Sequence, residues 1–129
     1  MPTVLVADDH LGVRERVLSL LSPDFEVVGT AGDGKELIAE ALRLRPDVIV
    51  LDITMPLCTG IEAVHELREA GLSARFVFLT VHEQPEFLEA CFAEGALGYV
   101  TKSHLQKDLI LAICQAMCGN TFISPSIPR

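Results

Sequence analysis

One feature of this sequence constrains its fold more than any other: five short runs rich in Val, Ile, Leu and Phe alternate with segments of helical periodicity. The runs span residues 3–7, 25–29, 47–51, 75–80 and 98–101, and such alternation predicts an α/β domain. The third and fourth are almost continuously apolar, as strands are when a parallel sheet is covered on both faces. Between them, Leu11, Val13, Val17, Leu18, Leu20 and Leu21 form an inward stripe over 11–22. Asp33 is placed to cap a second helix, where Leu37, Ile38, Ala41, Leu42 and Leu44 face inward before Pro46 stops it. Helices over 60–70 and 85–94 end at Gly71 and Gly95, and a fifth over 104–118 closes at Gly119.

Five β-α units in 129 residues predict one doubly wound five-stranded parallel sheet of flavodoxin-like order 2-1-3-4-5, with helices on both faces. A chain that is 50% hydrophobic has enough apolar surface for one proper core. The reading gives a domain over 1–119 and a linker stub over 120–129, where Pro125 and Pro128 interrupt any periodicity. No apolar run approaches the roughly 20 residues of a membrane span, and no signal peptide is apparent, so a cytoplasmic protein without membrane association is expected. A formal charge of −8 excludes a nucleic-acid grip by this segment itself, because phosphate contacts need clustered Lys and Arg. Cys58, Cys91, Cys114 and Cys118 contain no C-x-x-C pair and read as small buried hydrophobes or inert thiols, in preference to disulfides or a zinc site.

In an open parallel sheet, ligands bind outside the carboxyl ends of the strands. Strand one ends in Asp8 and Asp9, strand three in Asp52, strand four in Thr80, and strand five in Thr101 and Lys102. The expected strand order gathers these groups at one rim. Three crowded carboxylates raise each other's proton affinity unless a cation intervenes, which implies a divalent metal. All-oxygen ligands on a shallow, water-accessible rim suit Mg²⁺. With a cation and the Lys102 ammonium beside it, Asp52 can attack a phosphorus centre, because charge developing on the phosphoryl oxygens is neutralised.

Together these residues carry a resemblance. Asp8-Asp9, the segment Leu51-Asp52-Ile53-Thr54-Met55-Pro56, Gly60, Thr80, Tyr99 and Lys102 are similar to the signature of response-regulator receiver domains of two-component signalling, in order over residues 3–117. Asp8-Asp9-His10, Glu26-Val27-Val28-Gly29, Gly98-Tyr99-Val100 and Ser124-Pro125 resemble the NarL/FixJ subfamily, whose output is a helix-turn-helix DNA-binding domain. The resemblance implies that Asp52 is the phosphoacceptor, fed by a sensor histidine kinase or a small phosphodonor. It implies Mg²⁺ on Asp9, Asp52 and the backbone carbonyl of Thr54, with Asp8 acting through water. Thr80 and Lys102 are then expected to contact the phosphoryl oxygens, and Thr80 and Tyr99 to form the conformational switch, with Tyr99 filling space that Thr80 vacates. It further implies that DNA is contacted only through an output domain outside this chain. One departure is Ser103, which follows Lys102 where many receivers have proline.

Plainer roles exist for each residue. Asp9 alone reads as a helix cap, Thr80 as a strand-end hydroxyl, Lys102 as a solvated cation, and Tyr99 as a half-buried strand residue. His10, His65, His82 and His104 share no segment and read as surface or loop residues without metal, although Thr54 and His82 are expected to line the mouth of the site. Exposed apolar area on the last helix suits homodimer contact. Two other chemistries compete. A dehalogenase-like phosphatase also uses an Asp nucleophile, but places a second acid two residues later, where this chain has Thr54. A flavin or nucleotide carrier needs a phosphate-binding loop after the first strand, where Asp8 and Asp9 repel phosphate. The expected function is therefore a switch, either governing a DNA-binding output or acting alone by protein contact. Its only expected chemistry is self-catalysed phosphoryl uptake and slow loss, without enzymatic turnover.

Overall fold

A computed structural model describes residues 1–127; Pro128 and Arg129, the end of the expected linker, lie outside the described residues. In chain order the elements are β1 (Thr3–Ala7), α1 (Leu11–Leu21), β2 (Glu26–Ala31), α2 (Gly34–Leu44), β3 (Val48–Asp52), α3 (Gly60–Glu69), β4 (Arg75–Thr80), α4 (Pro85–Ala93), β5 (Gly98–Thr101), α5 (Leu105–Met117) and β6 (Phe122–Ile123). All pairings are parallel, and the sheet order is β2-β1-β3-β4-β5-β6. The expected order 2-1-3-4-5 is present, but with six strands instead of five. The addition comes from the segment read as a linker. There Phe122 and Ile123 pair with Gly98 and Tyr99, and Ser124 N–H donates to the Tyr99 carbonyl at 2.9 Å.

Side chains alternate across each strand, and this divides the core in two. Val4, Val6, Val48, Val50, Val77, Leu79 and Val100 face α1 and α5, meeting Val17, Leu21, Leu109 and Ile113. Leu5, Ala7, Ile49, Leu51, Phe76, Phe78 and Tyr99 pack with Leu37, Ala41, Val64, Leu67 and Cys91 of α2, α3 and α4. Every residue of β3 is buried, so the central strand is covered on both faces, as its unbroken apolar run requires. Two leucines assigned to inward stripes are instead exposed, Leu11 at the first position of α1 and Leu42 on α2. The cysteines divide as well: Cys91 is buried and Cys58 half-buried, but Cys114 and Cys118 are exposed on α5, against their reading as buried hydrophobes.

Helix ends follow the local sequence. Asp33 caps α2 by accepting the Glu36 N–H, and Thr59 with Glu62 forms a reciprocal capping box on α3. Gly71, Gly95 and Gly119 have φ of +86°, +89° and +80°, the left-handed conformation that lets a glycine end a helix without steric cost. Among the described residues, no helix is long and apolar enough to cross a membrane.

Candidate functional site

Because β1, β3, β4 and β5 are parallel neighbours, their carboxyl ends share one rim, and the polar residues after each strand converge there. Lys102 begins a single 3₁₀ turn over Lys102–His104, reached without a cis peptide bond among the described residues. Its Nζ lies 2.9 Å from Asp52 Oδ2 and 2.9 Å from Asp8 Oδ2. Asp8 is fully buried, Asp52 nearly so, and the Lys102 side chain is only 11% exposed. Burial pushes the Asp52 carboxyl above its ordinary range; Lys102 pulls it back, while the charge on Asp8 adds to the rise. For Lys102, burial acts to lower the pKa, but the carboxylates of Asp8 and Asp52 outweigh it and hold the ammonium above its usual value.

Asp8 is held by its neighbours. Its Oδ1 accepts the His10 N–H at 2.8 Å, and its backbone carbonyl accepts Arg14 Nη1 at 3.0 Å. Its Oδ2 meets Lys102 as an ion pair outside hydrogen-bond alignment, which leaves that buried oxygen without an aligned donor among the described residues. Such an oxygen, stripped of water, favours positive charge close by. Asp8, Asp9, His10 and Asp52 each offer a donor atom, all within 4.8 Å of one another. The three carboxylates are the part of this set that fits a hard divalent ion, since such ions take oxygen donors.

The other expected residues are brought to the same place. Thr80 is fully buried, and its Oγ1 accepts the His82 N–H at 2.8 Å. Tyr99 donates its hydroxyl to the His82 carbonyl at 3.1 Å, and burial pushes its phenol up to about 12. Tyr99 thus already lies inside, where the sequence reading moves it in only after modification; the His82 carbonyl provides the partner that a buried phenol needs. Thr54 is exposed at the mouth, with Oγ1 3.1 Å from His82 Nε2, and its N–H points to Asp52 Oδ1 at 3.4 Å. The His82 ring stacks on Phe87 with centroids 4.0 Å apart. Asp9, His10, Asp52, Thr54, Val81, His82 and Lys102 line a cleft of about 400 Å³. Two larger hollows lie elsewhere, one along α1 and one between Lys35 and Glu94, but neither brings a buried charge pair to its floor.

Asp9 does not cap α1: that position is His10, which makes no side-chain cap bond. His10 is the residue that sequence reasoning missed. Its Nδ1 lies 3.1 Å from Asp8 Oδ1 and 3.2 Å from Asp9 Oδ1. Its adjacency to the acidic pair in sequence is the signal that marks it. Gly60 fixes the loop after Asp52. Its N–H donates to the Ile53 carbonyl at 2.7 Å, and a Cβ there would fall 2.1 Å from the Asp52 carbonyl oxygen, so only glycine lets α3 start this close to the strand end.

The family model described as "Response regulator receiver domain" matches residues 4–114. The nitrate/nitrite response regulator protein NarL of Escherichia coli is 39% identical over 127 residues, covering 97% of this chain and 59% of that protein. Response regulator GacA of Pseudomonas aeruginosa is 36% identical over 131 residues, covering 100% of this chain and 61% of that protein. The chain thus spans about three-fifths of the length of these relatives. Among solved structures, a LuxR-family two-component response regulator from an Aurantimonas species superposes with a TM-score of 0.93 at 34% identity, covering 98% of this chain and 92% of that one. The response regulator RcsB in its DNA complex superposes with a TM-score of 0.90 at 27% identity, covering 98% of this chain and 65% of that one.

Proposed function

This chain belongs to the response regulator receiver domain family, within its NarL-like and LuxR-like members, and on that premise we propose that Asp52 accepts a phosphoryl group as the input step of a signalling switch. The observation that carries this reading is the position of Lys102 Nζ, 2.9 Å from both Asp52 and Asp8 in a buried acidic pocket. Asp52 thereby has a fixed cation at its side and a second cation's place beside it. Asp9, Asp52 and the Thr54 carbonyl would hold Mg²⁺, with Asp8 acting through water, and the bound ion supplies positive charge against the phosphoryl oxygens. An Asp52 carboxylate oxygen forms the new O–P bond while the phosphorus–nitrogen bond of a phosphohistidine, or the P–O bond of a small acyl phosphate, breaks and its electron pair leaves with the donor.

The acquired group carries negative charge and acceptor oxygens. Lys102 turns from the carboxylates toward one oxygen, and the Thr80 hydroxyl donates to another while still accepting the His82 N–H. Because Tyr99 grips the same residue through its carbonyl, a movement at Thr80 is passed to β5 through His82. Thr54 stands where an Asp-nucleophile phosphatase keeps its acid, so the domain loses the group by slow hydrolysis and does not turn over substrate. A sensor histidine kinase is the donor, and the receiver acts in the cytoplasm. The receiver runs past residue 119 to include β6 and the buried Ile127, and DNA is bound through a helix-turn-helix output outside this chain; exposed Leu111 on α5 serves a homodimer.

Incubation with acetyl phosphate and Mg²⁺ tests the site. Intact mass spectrometry is expected to show one added phosphoryl group that hydroxylamine removes and that Asp52→Asn does not acquire. An unchanged mass of the natural chain, or phosphorylation that persists in the variant, overturns the assignment.

A further inference from the structure

The outward face of α5 carries chemistry that phosphoryl transfer does not use. Cys114 and Cys118 are both exposed, and the Cys118 N–H reaches the Cys114 carbonyl at 3.3 Å, which sets the two thiols one helical turn apart on the same face. They point outward because Leu109, Ala112, Ile113 and Ala116 take the buried side. The remaining cysteines stand apart from this pair. Cys91 is buried, and burial pushes its thiol up to about 12. Burial raises the Cys58 thiol as well, and Glu62 and Glu66 add to the rise.

We propose that Cys114 and Cys118 together form a bidentate thiolate site for a thiophilic cation of the zinc and cadmium class. Side chains one turn apart have Cβ atoms about 5–6 Å from each other. Metal–sulfur bonds of about 2.3 Å in tetrahedral geometry need sulfurs about 3.8 Å apart, a distance that χ1 rotation on an uncrowded face supplies. Cys118 is the C-cap of α5, where carbonyls of the last turn and the negative end of the helix dipole favour a cation. The formal charge of −8 adds a general attraction. Binding is an exchange without redox change: the metal forms two M–S bonds, two S–H bonds break, two protons go to buffer, and water completes the coordination. Softness separates this site from the oxygen-rich one at the strand ends, since thiolates select metals that carboxylates hold poorly. Position separates them as well. The 13 residues of α5 run back from the rim for about 20 Å, placing the thiols toward the opposite pole of the sheet.

The reduced, desalted full chain is to be titrated with cadmium in excess Mg²⁺, reading the ultraviolet thiolate-to-cadmium charge-transfer band and proton release with an indicator dye. The expected result is a band that saturates at one cadmium per chain with two protons released, is unchanged in Cys58→Ser, and no longer saturates at stoichiometric cadmium in Cys114→Ser or Cys118→Ser. A band that survives intact in either of those two variants overturns the proposal, as does the lack of a saturable band in the natural chain. Both substitutions lie on the exposed surface, and neither touches the phosphoryl site.

Discussion

Replacing Lys102 by methionine keeps a stem of similar length and removes the ammonium that bridges two buried carboxylates, each at 2.9 Å. Breaking a buried pair by deleting one partner costs about 3–5 kcal/mol. The Lys102 side chain keeps 11% exposure, and an abandoned carboxyl can take up a proton instead of staying charged, so the expected loss near neutral pH is about 2–4 kcal/mol. The dependence on pH gives the argument its sign. Burial already holds the Asp52 carboxyl above 3.8, and Lys102 is what pulls it down; deleting the lysine raises it further. A carboxyl whose folded pKa is raised contributes stability that is fully present below its unfolded pKa and is lost as pH rises through the folded value. The deficit of Lys102→Met is therefore expected to be small at pH below 3.8 and to grow as pH climbs. Urea unfolding followed by circular dichroism, in EDTA and across about pH 4 to pH 8, measures this. In an Asp52→Asn background the same change should cost at least about 1 kcal/mol less. A pH-independent deficit, or strict additivity of the two substitutions, refutes the coupling.

Gly60→Ala drives a Cβ to within 2.1 Å of the Asp52 carbonyl oxygen; overpacking of this kind costs about 1–3 kcal/mol and should also slow phosphoryl uptake, and an unshifted urea midpoint would show that the loop yields freely. Ser124→Ala leaves Asp108 Oδ2 without the hydroxyl that donates to it at 2.7 Å and the Thr101 N–H without its acceptor at 3.1 Å. That loss is expected to be about 1–3 kcal/mol with faster hydrogen exchange at Thr101, and unchanged exchange there counts against the network. Asp47 accepts the Thr3 N–H and hydroxyl at 2.8 and 3.1 Å, and the backbone bond holds its carboxyl below 3.8. Its contribution is present above that value and lost as pH falls through the lower folded one; Asp47→Asn should flatten the acid limb of the stability curve, and an acid limb as steep as that of the natural chain contradicts this.

Much of the fold was legible because apolar runs stop where polar chemistry begins. β1, β4 and β5 have the expected bounds, and the residues at or just past their carboxyl ends, Asp8, Thr80 and Lys102, are site residues. β2 starts one residue late because Phe25 is held in a turn by the Leu21 carbonyl, and it runs on to Ala31 because its pairing with β1, after a one-residue register shift between Val4 and Leu5, continues to Ala7. β6 was not legible: two residues make no periodic pattern, and only the open edge of β5 gives them a ladder. In the site, parallel topology made Asp8, Asp9, Asp52, Thr80 and Lys102 predictable as one group. Three features depended on tertiary geometry that spacing does not encode: His10 turned onto the acidic pair, Lys102 shared by two carboxylates, and a Tyr99 already inside. The exposed Cys114 and Cys118 show how an apolar helix conceals its outward face when both faces carry small nonpolar residues.

The short sixth strand has a mechanical consequence. Phe122 faces the α1 and α5 side and Ile123 the α2 to α4 side, so a slide of one residue along β5 would turn every side chain of the tail to the wrong face. Ser124 would leave Asp108, and Ile127, now buried with the α2 to α4 core, would be drawn out. A pull on the chain beyond residue 127 therefore meets a catch that either holds or releases, with no graded travel between.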